Sequence, residues 1–347
     1  MQENKQKKYN DPFRATLTGI LDLFKKQIPA GILNESDRLD GKTVVEDGAS
    51  SGLGFAIAIE VASRGAKTVM VCRSGIPGKG EEVKKHSGNS DVHMLHVDFR
   101  DVRSLEQLTS ELRAGYAPID ILICNAGVVP NQGRMTPQGL EEMFMVNYFS
   151  KFWYVTTLIE NGCFRNTGHN LRPGMAESTG TSVAGNNNSS VPRIIFVSSE
   201  SHRNPEAFKW DEFGKFTTYG MKQSMEHYGH NKLLLTTFAV ELSRRLNPGG
   251  RTTCSVFALC PGPVNSNIAR ESPKLFQPLL KLIFSIFFKS PEDASYPVLY
   301  LSASRDVEAK SFDYLFLMNR KEVDSKALDP VNGNKLWEMS SALKKKL

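Results

Sequence analysis

Apolar residues fall into short runs separated by stretches of helical period. The stretch 43–73 reads as a short strand, a turn with Gly48, Gly52 and Gly54, a helix and a second strand at 68–72. Further apolar runs at 92–97, 119–124, 193–198, 252–259 and 312–317 predict five more strands, with helical patterns at 102–112, 138–160 and 221–246 between them. Strands that alternate with helices pair in parallel through right-handed crossovers. The expected fold is therefore α/β, a single doubly wound parallel sheet of six or seven strands with helices on both faces. The longest helix stops at Asn247-Pro248-Gly249-Gly250, and Pro291 opens another whose first turn carries Glu292 and Asp293.

Three segments lie outside this alternation. In 1–40, Phe13, Leu17, Ile20, Leu21, Phe24 and Ile28 form a helical stripe with Arg14, Lys25 and Lys26 off it. Such a helix packs against the domain or lies at a membrane surface or a partner. Residues 161–192, rich in Gly, Asn, Ser and Thr, read as a disordered surface insertion. The run 275–288 (LFQPLLKLIFSIFF) has Lys281 as its only charge, which suits a lipophilic substrate, a membrane face, a homodimer contact or core packing.

Composition narrows the function classes. A chain of 347 residues, 40% hydrophobic and 23% charged, can bury a substantial core. Its net charge of +6 comes partly from Lys5, Lys7, Lys8 and Lys344 to Lys346, read as solvated tails. No aromatic residues interleave with them, which argues against a nucleic-acid partner. The five cysteines are widely spaced with no C-x-x-C pair, so neither a disulfide framework nor a zinc site is expected. His227 and His230 stand three apart without a third ligand and read as surface residues; no metal is expected. Reduced thiols, a charged start and no apolar run of spanning length point to the cytoplasm, with peripheral membrane contact as the alternative.

The chemistry begins at Gly48, Gly52 and Gly54. A glycine turn feeding a helix offers free amides and a positive dipole end to an anion, and the missing side chains let a pyrophosphate approach. Its G-x-x-x-G-x-G spacing differs from the commoner G-x-G-x-x-G fingerprint. Tyr228 and Lys232, four apart, share a helix face. The ammonium is expected to lower the phenol pKa from its ordinary value near 10 and fit Tyr228 to exchange a proton with an alcohol or ketone. Ser199 follows the fifth strand, at the same sheet edge.

Seven motifs in order then carry a resemblance: GASSGLG at 48–54, Asp98 in HVDFRD, CNAG at 124–127, Asn147 in MVNYF, VSSESH at 197–202, YGHNK at 228–232 and CPGPV at 260–264. Over roughly 41–320 the chain resembles the short-chain dehydrogenases/reductases, a Rossmann-type family, and is most similar to its retinol dehydrogenase branch through VMVCR, LICNAGV and VSSESH. Residues 1–40 would be an extension and 321–347 a tail. The resemblance implies that Ser199 binds the substrate oxygen and Tyr228 transfers the proton. Lys232 would bind the nicotinamide ribose and acidify Tyr228, and Asn147 would hold a relay water. Gly48, Ser50, Ser51, Gly52, Leu53 and Gly54 would cradle the diphosphate, and Asp98 with Phe99 would meet the adenine end. Asn125, Ala126 and Gly127 would wall the pocket, while Pro261, Gly262, Val264 and Ser266 approach the nicotinamide. Arg73, where an NAD enzyme places an acid, favours NADP (NADPH), because a guanidinium suits a 2′-phosphate.

One departure stands out. Glu46 and Asp47 occupy positions where the family usually has an apolar residue and threonine. Asp47 would either accept from backbone near Asn125 or repel the pyrophosphate, by roughly 1 kcal/mol at about 4 Å in water and about 4 kcal/mol at an effective dielectric near 20. The sequence thus leaves two main readings, an NADP(H)-dependent oxidoreductase acting on a lipophilic alcohol, ketone or aldehyde, and an NADP-binding regulatory or scaffold protein of the same fold. Reduction of a tetrapyrrole double bond, as in protochlorophyllide reductases, is a third.

Overall fold

The computed structural model describes residues 29–165, 190–264 and 290–347. One sheet of order β3-β2-β1-β4-β5-β6-β7-β8 runs through them. Its strands are β1 (Thr43–Asp47), β2 (Lys67–Cys72), β3 (Val92–His96), β4 (Ile121–Cys124), β5 (Arg193–Val197), β6 (Ser255–Cys260), β7 (Phe312–Phe316) and β8 (Asn319–Arg320). Strands β1 to β7 pair in parallel, as expected, and β8 adds an antiparallel edge. At two residues, β8 is too short to register as an apolar run.

The inner strands β1, β2, β4, β5 and β6 are buried on both faces, which gives them their apolar runs. Helices α1 (Gly52–Ser63) and α6 (Pro291–Ala303) cover one face over Val44, Ile57, Ile123, Phe257 and Val298. On the other, α3 (Val102–Gly115), α4 (Ser150–Glu160) and α5 (Met221–Leu246) close over Val45, Leu105, Leu122, Phe152 and Phe238. The expected helix at 138–160 starts later, at Glu142–Phe144, and passes through a π turn, Met145–Phe149, before α4. Ser290 caps α6 by accepting from the Asp293 amide.

Two of the longer helices were not legible. α2 (Gly78–Ser87) buries only Gly80 and Val83, so it has no stripe. The expected tail contains α7 (Pro330–Lys346), which buries only Leu336 and Trp337 among its large apolar residues. Trp337 packs on Phe152 and Phe238 with ring centroids 5.3 and 6.1 Å away, and the Arg245 guanidinium lies 4.3 Å above it. Lys344, read as solvated, donates to Thr156 Oγ1 at 2.9 Å and pairs with Glu160; Lys345 and Lys346 are exposed. The stripe at 13–28, the bulk of the 161–192 insertion, the 275–288 run and Ser266 lie outside the described residues. All five cysteines are free and buried. Among the described residues no helix is long and apolar enough to cross a membrane.

Candidate active site

The chemistry-bearing residues meet at the carboxyl ends of β1, β4, β5 and β6. Gly48 leaves β1 at φ +73°, and a Cβ there would stand 2.9 Å from the Ala126 Cα. A Cβ on Gly54 would collide with the Gly48 carbonyl, so both positions need glycine for close packing. Ser51 precedes α1 without a side-chain cap bond, leaving the first amides of Gly52, Leu53 and Gly54 to the crevice. The Ser50 side chain hydrogen-bonds the Cys72 thiol at the end of β2, which burial pushes up to about 12, and Arg73 beyond it is exposed. These features form a cradle that fits a diphosphate.

Asp47 does not face that cradle. Its Oδ1 accepts from the Asn125 amide at 2.7 Å and from the Ala126 amide; its Oδ2 accepts from the Tyr154 hydroxyl at 2.7 Å and lies 3.8 Å from Lys151 Nζ. The first alternative set for Asp47 is the one observed. Glu46, on the opposite face, is fully buried with both oxygens lacking a hydrogen-bond partner among the described residues. Burial, then the neighbouring Asp47, drives its carboxyl well above the ordinary value, which favours the neutral acid.

Ser199, Tyr228 and Lys232 come together. The Ser199 side chain hydrogen-bonds Tyr228 and accepts from Ser201 N and Oγ at 3.2 and 2.9 Å. Lys232 Nζ lies 5.6 Å from the Tyr228 ring centroid and donates to the Val197 carbonyl at 2.7 Å. The expected acidification of Tyr228 is corrected here. Burial raises the phenol, the Cys260 thiol adds to that, and the Ser199 bond only partly opposes it. Lys232 is instead the perturbed cation, lowered to about 8 by burial and by the like charge of Lys151. Asn147, in the π turn, is wholly buried; its Oδ1 accepts from Val128 N at 2.7 Å and its Nδ2 donates to Val128 O at 2.9 Å. It anchors the loop that holds Gly127, where a Cβ would stand 3.3 Å from Asn147 Oδ1.

This geometry has relatives. Residues 42–169 match the family model for short chain dehydrogenases. The chain is 28% identical to retinol dehydrogenase 12 of Mus musculus over 92% of this chain and 91% of that protein. It is 29% identical to dehydrogenase/reductase SDR family member 13 of Bos taurus, over 88% and 74%. Over residues 42–169, therefore, the chain is similar to the short-chain dehydrogenases. Its fold is shared with the NADPH-dependent 3-quinuclidinone reductase of Rhodotorula rubra, at a TM-score of 0.56 and 18% identity over 84% of this chain and 97% of that one.

At the far end of the crevice, Asp98 is held by its neighbour. Arg100 Nε and Nη2 bond its carboxylate at 3.0 and 2.6 Å. Burial raises that carboxyl, but the Arg100 bonds, with Arg73 beyond, outweigh it and leave it below the ordinary value. Asp98 and Arg100 border a cavity of about 520 Å³ with Asp101, Met135, Thr136 and Pro137. Phe99 is buried and points inward, its ring 3.9 Å from Lys151 Nζ. At the β6 end Pro261 is buried, Gly262 takes φ +82°, and Val264 packs against the α1/α6 core. His227 and His230 are half-buried rather than surface residues: His227 stacks on Tyr219 and His230 Nε2 accepts from the Lys209 amide.

Sequence reasoning missed Lys151, Tyr154 and the environment of Cys260. A signal existed for the first two. Asn147, Lys151 and Tyr154 stand at i, i+4 and i+7 in an otherwise apolar helical stretch, and a lysine buried there requires an acid. Cys260 accepts from the Gly262 and Glu200 amides; burial raises its thiol to about 11.

Proposed function

We propose that the protein is an NADP(H)-dependent oxidoreductase that interconverts a lipophilic alcohol and its ketone or aldehyde. The observation that carries this is the Ser199–Tyr228 hydrogen bond with Lys232 one turn away, set beside a glycine cradle that Asp47 leaves clear. The bound nicotinamide would supply or take the hydride. Ser199 would hold the substrate oxygen, and Tyr228 would give it a proton in reduction and remove one in oxidation. Burial keeps Tyr228 protonated at neutral pH, the form that donates. Lys232 would bind the ribose, and Asn147 would brace the Val128 loop. Arg73, exposed past β2, would take the 2′-phosphate, and the quinuclidinone reductase of the same fold is NADPH-dependent. The retinol dehydrogenase relatives support a lipophilic substrate. The inward turn of Asp47 removes the main reason for preferring a regulatory or scaffold role.

Fluorescence titration should show NADPH binding at least about tenfold tighter than NADH, with Arg73→Ser narrowing the gap. Turnover on a panel of hydrophobic carbonyls should fall roughly 10²- to 10⁴-fold in Tyr228→Phe with binding retained. Tight nucleotide binding with no turnover across the panel would favour the scaffold reading.

A further inference from the structure

Lys151 is only 1% exposed, yet it carries an ammonium. A lone buried cation is costly, so its surroundings reveal what it is for. Its Nζ donates to the Val146 carbonyl at 3.0 Å, lies 3.9 Å from the Phe99 ring centroid and stands 3.8 Å from Asp47 Oδ2. Asp47 in turn holds the amides of Asn125 and Ala126, and Ala126 is the residue against which Gly48 packs. One chain of contacts therefore runs from Lys151 through Asp47 to the wall of the nucleotide crevice and the first glycine of its cradle.

We propose that Lys151 is a positioning residue for the nucleotide site, balancing the Asp47 carboxylate behind the glycine turn and setting the electric field at Lys232. This rests on the cofactor reading given above. Without the ammonium, Oδ2 would keep only the Tyr154 hydroxyl, and an unbalanced anion would sit behind the seat of another anion.

The pair reaches Lys232 with opposite signs. Facing Lys232 are Lys151 on α4, Asp47 on β1, Cys260 on β6 and, on its own helix, Tyr228, with the Val197 carbonyl of β5 accepting its proton. Facing Lys151 are Asp47 and Cys124. Asp47 also has Tyr154 and Glu46 near it. Burial and the Lys151 charge lower Lys232, whereas Cys260 and Asp47 raise it. Losing Lys151 should therefore move the Lys232 titration upward, and losing the Asp47 charge should move it downward. A residue that merely fills space would do neither.

The experiment uses the full chain and the variants Lys151→Met, Asp47→Asn and Asp47→Thr/Lys151→Met. NADPH binding is followed by fluorescence across a pH range bracketing about 8, where wild-type affinity should fall as Lys232 loses its proton. Lys151→Met should bind NADPH about tenfold more weakly at neutral pH, with its alkaline fall moved to higher pH. Asp47→Asn should move that fall to lower pH, and the double variant should regain most of the lost affinity, because its hydroxyl still accepts a backbone amide with no charge left to balance. Urea unfolding of the nucleotide-free proteins gives an independent reading: Lys151→Met should lower the midpoint more in the wild-type background than beside Asp47→Thr. Alkaline falls that stay put or move the same way in both single variants, or additive unfolding effects, overturn the proposal while leaving the cofactor reading intact. A wild-type chain that binds neither NADPH nor NADH overturns both.

Discussion

Glu46 and Asp47 are neighbours in β1, so the pleat sends their side chains to opposite faces of the sheet. Both are carboxyls and both are buried, yet they meet opposite environments. On the α4 and α5 face, Asp47 finds two amides, a hydroxyl and an ammonium. On the opposite face, Glu46 stands in register between Met70 of β2 and Ile123 of β4, and neither oxygen is bonded among the described residues. A buried acid is thus explained by what the facing helix supplies: α4 supplies Lys151 and Tyr154, and α1 supplies alanine and isoleucine. The first acid is built into the site, while the second is a load the fold carries.

The largest test of that contrast is Asp47→Ala, which leaves the Lys151 cation buried and two loop amides without acceptor. It should cost about 3–5 kcal/mol in urea unfolding. Tyr154→Phe removes a single hydroxyl from a charged acceptor and should cost roughly 1.5–3 kcal/mol by the same measurement. Glu46→Leu should act in the other direction and stabilise the protein by about 1–3 kcal/mol near neutral pH, read as a higher unfolding midpoint. Its pH dependence follows from the raised carboxyl. Below the ordinary value of 4.5 the acid is neutral in both folded and unfolded chains, so the substitution gains least there. As pH rises above 4.5 the unfolded chain ionises first, and the gain grows. An equal gain at pH 4 and pH 7 would show that Glu46 is ionised in the folded protein, and the two faces would then differ less than described.

The alternation of strands and helices was legible because the inner parallel strands are buried on both faces and most of the helices between them carry stripes. So was the Ser199, Tyr228 and Lys232 constellation, since residues four apart on a helix must share a face. Less legible were elements stabilised from outside themselves. α7 has few large apolar residues, and packing partners on other elements, Phe152, Phe238 and Arg245 among them, hold it in place. The sign of the Tyr228 shift was also out of reach, because it depends on enclosure and on Cys260, thirty-two positions away, rather than on the lysine in its own motif. Asp47 was recognised as a problem, but its solution lay on another element, in Lys151.

The packing of α7 on α5 bears on how the molecule assembles. Strands β1 to β4 and their helices can form much of their pairing from residues 43–124, whereas the helix bearing Tyr228 and Lys232 gains its outer cover only once Trp337 and Ser340 are in place, the latter meeting Tyr148 at 2.5 Å. During synthesis the half built around the glycine turn would therefore mature first, and the half bearing Tyr228 and Lys232 would be the one exposed to chaperones until α7 packs on it.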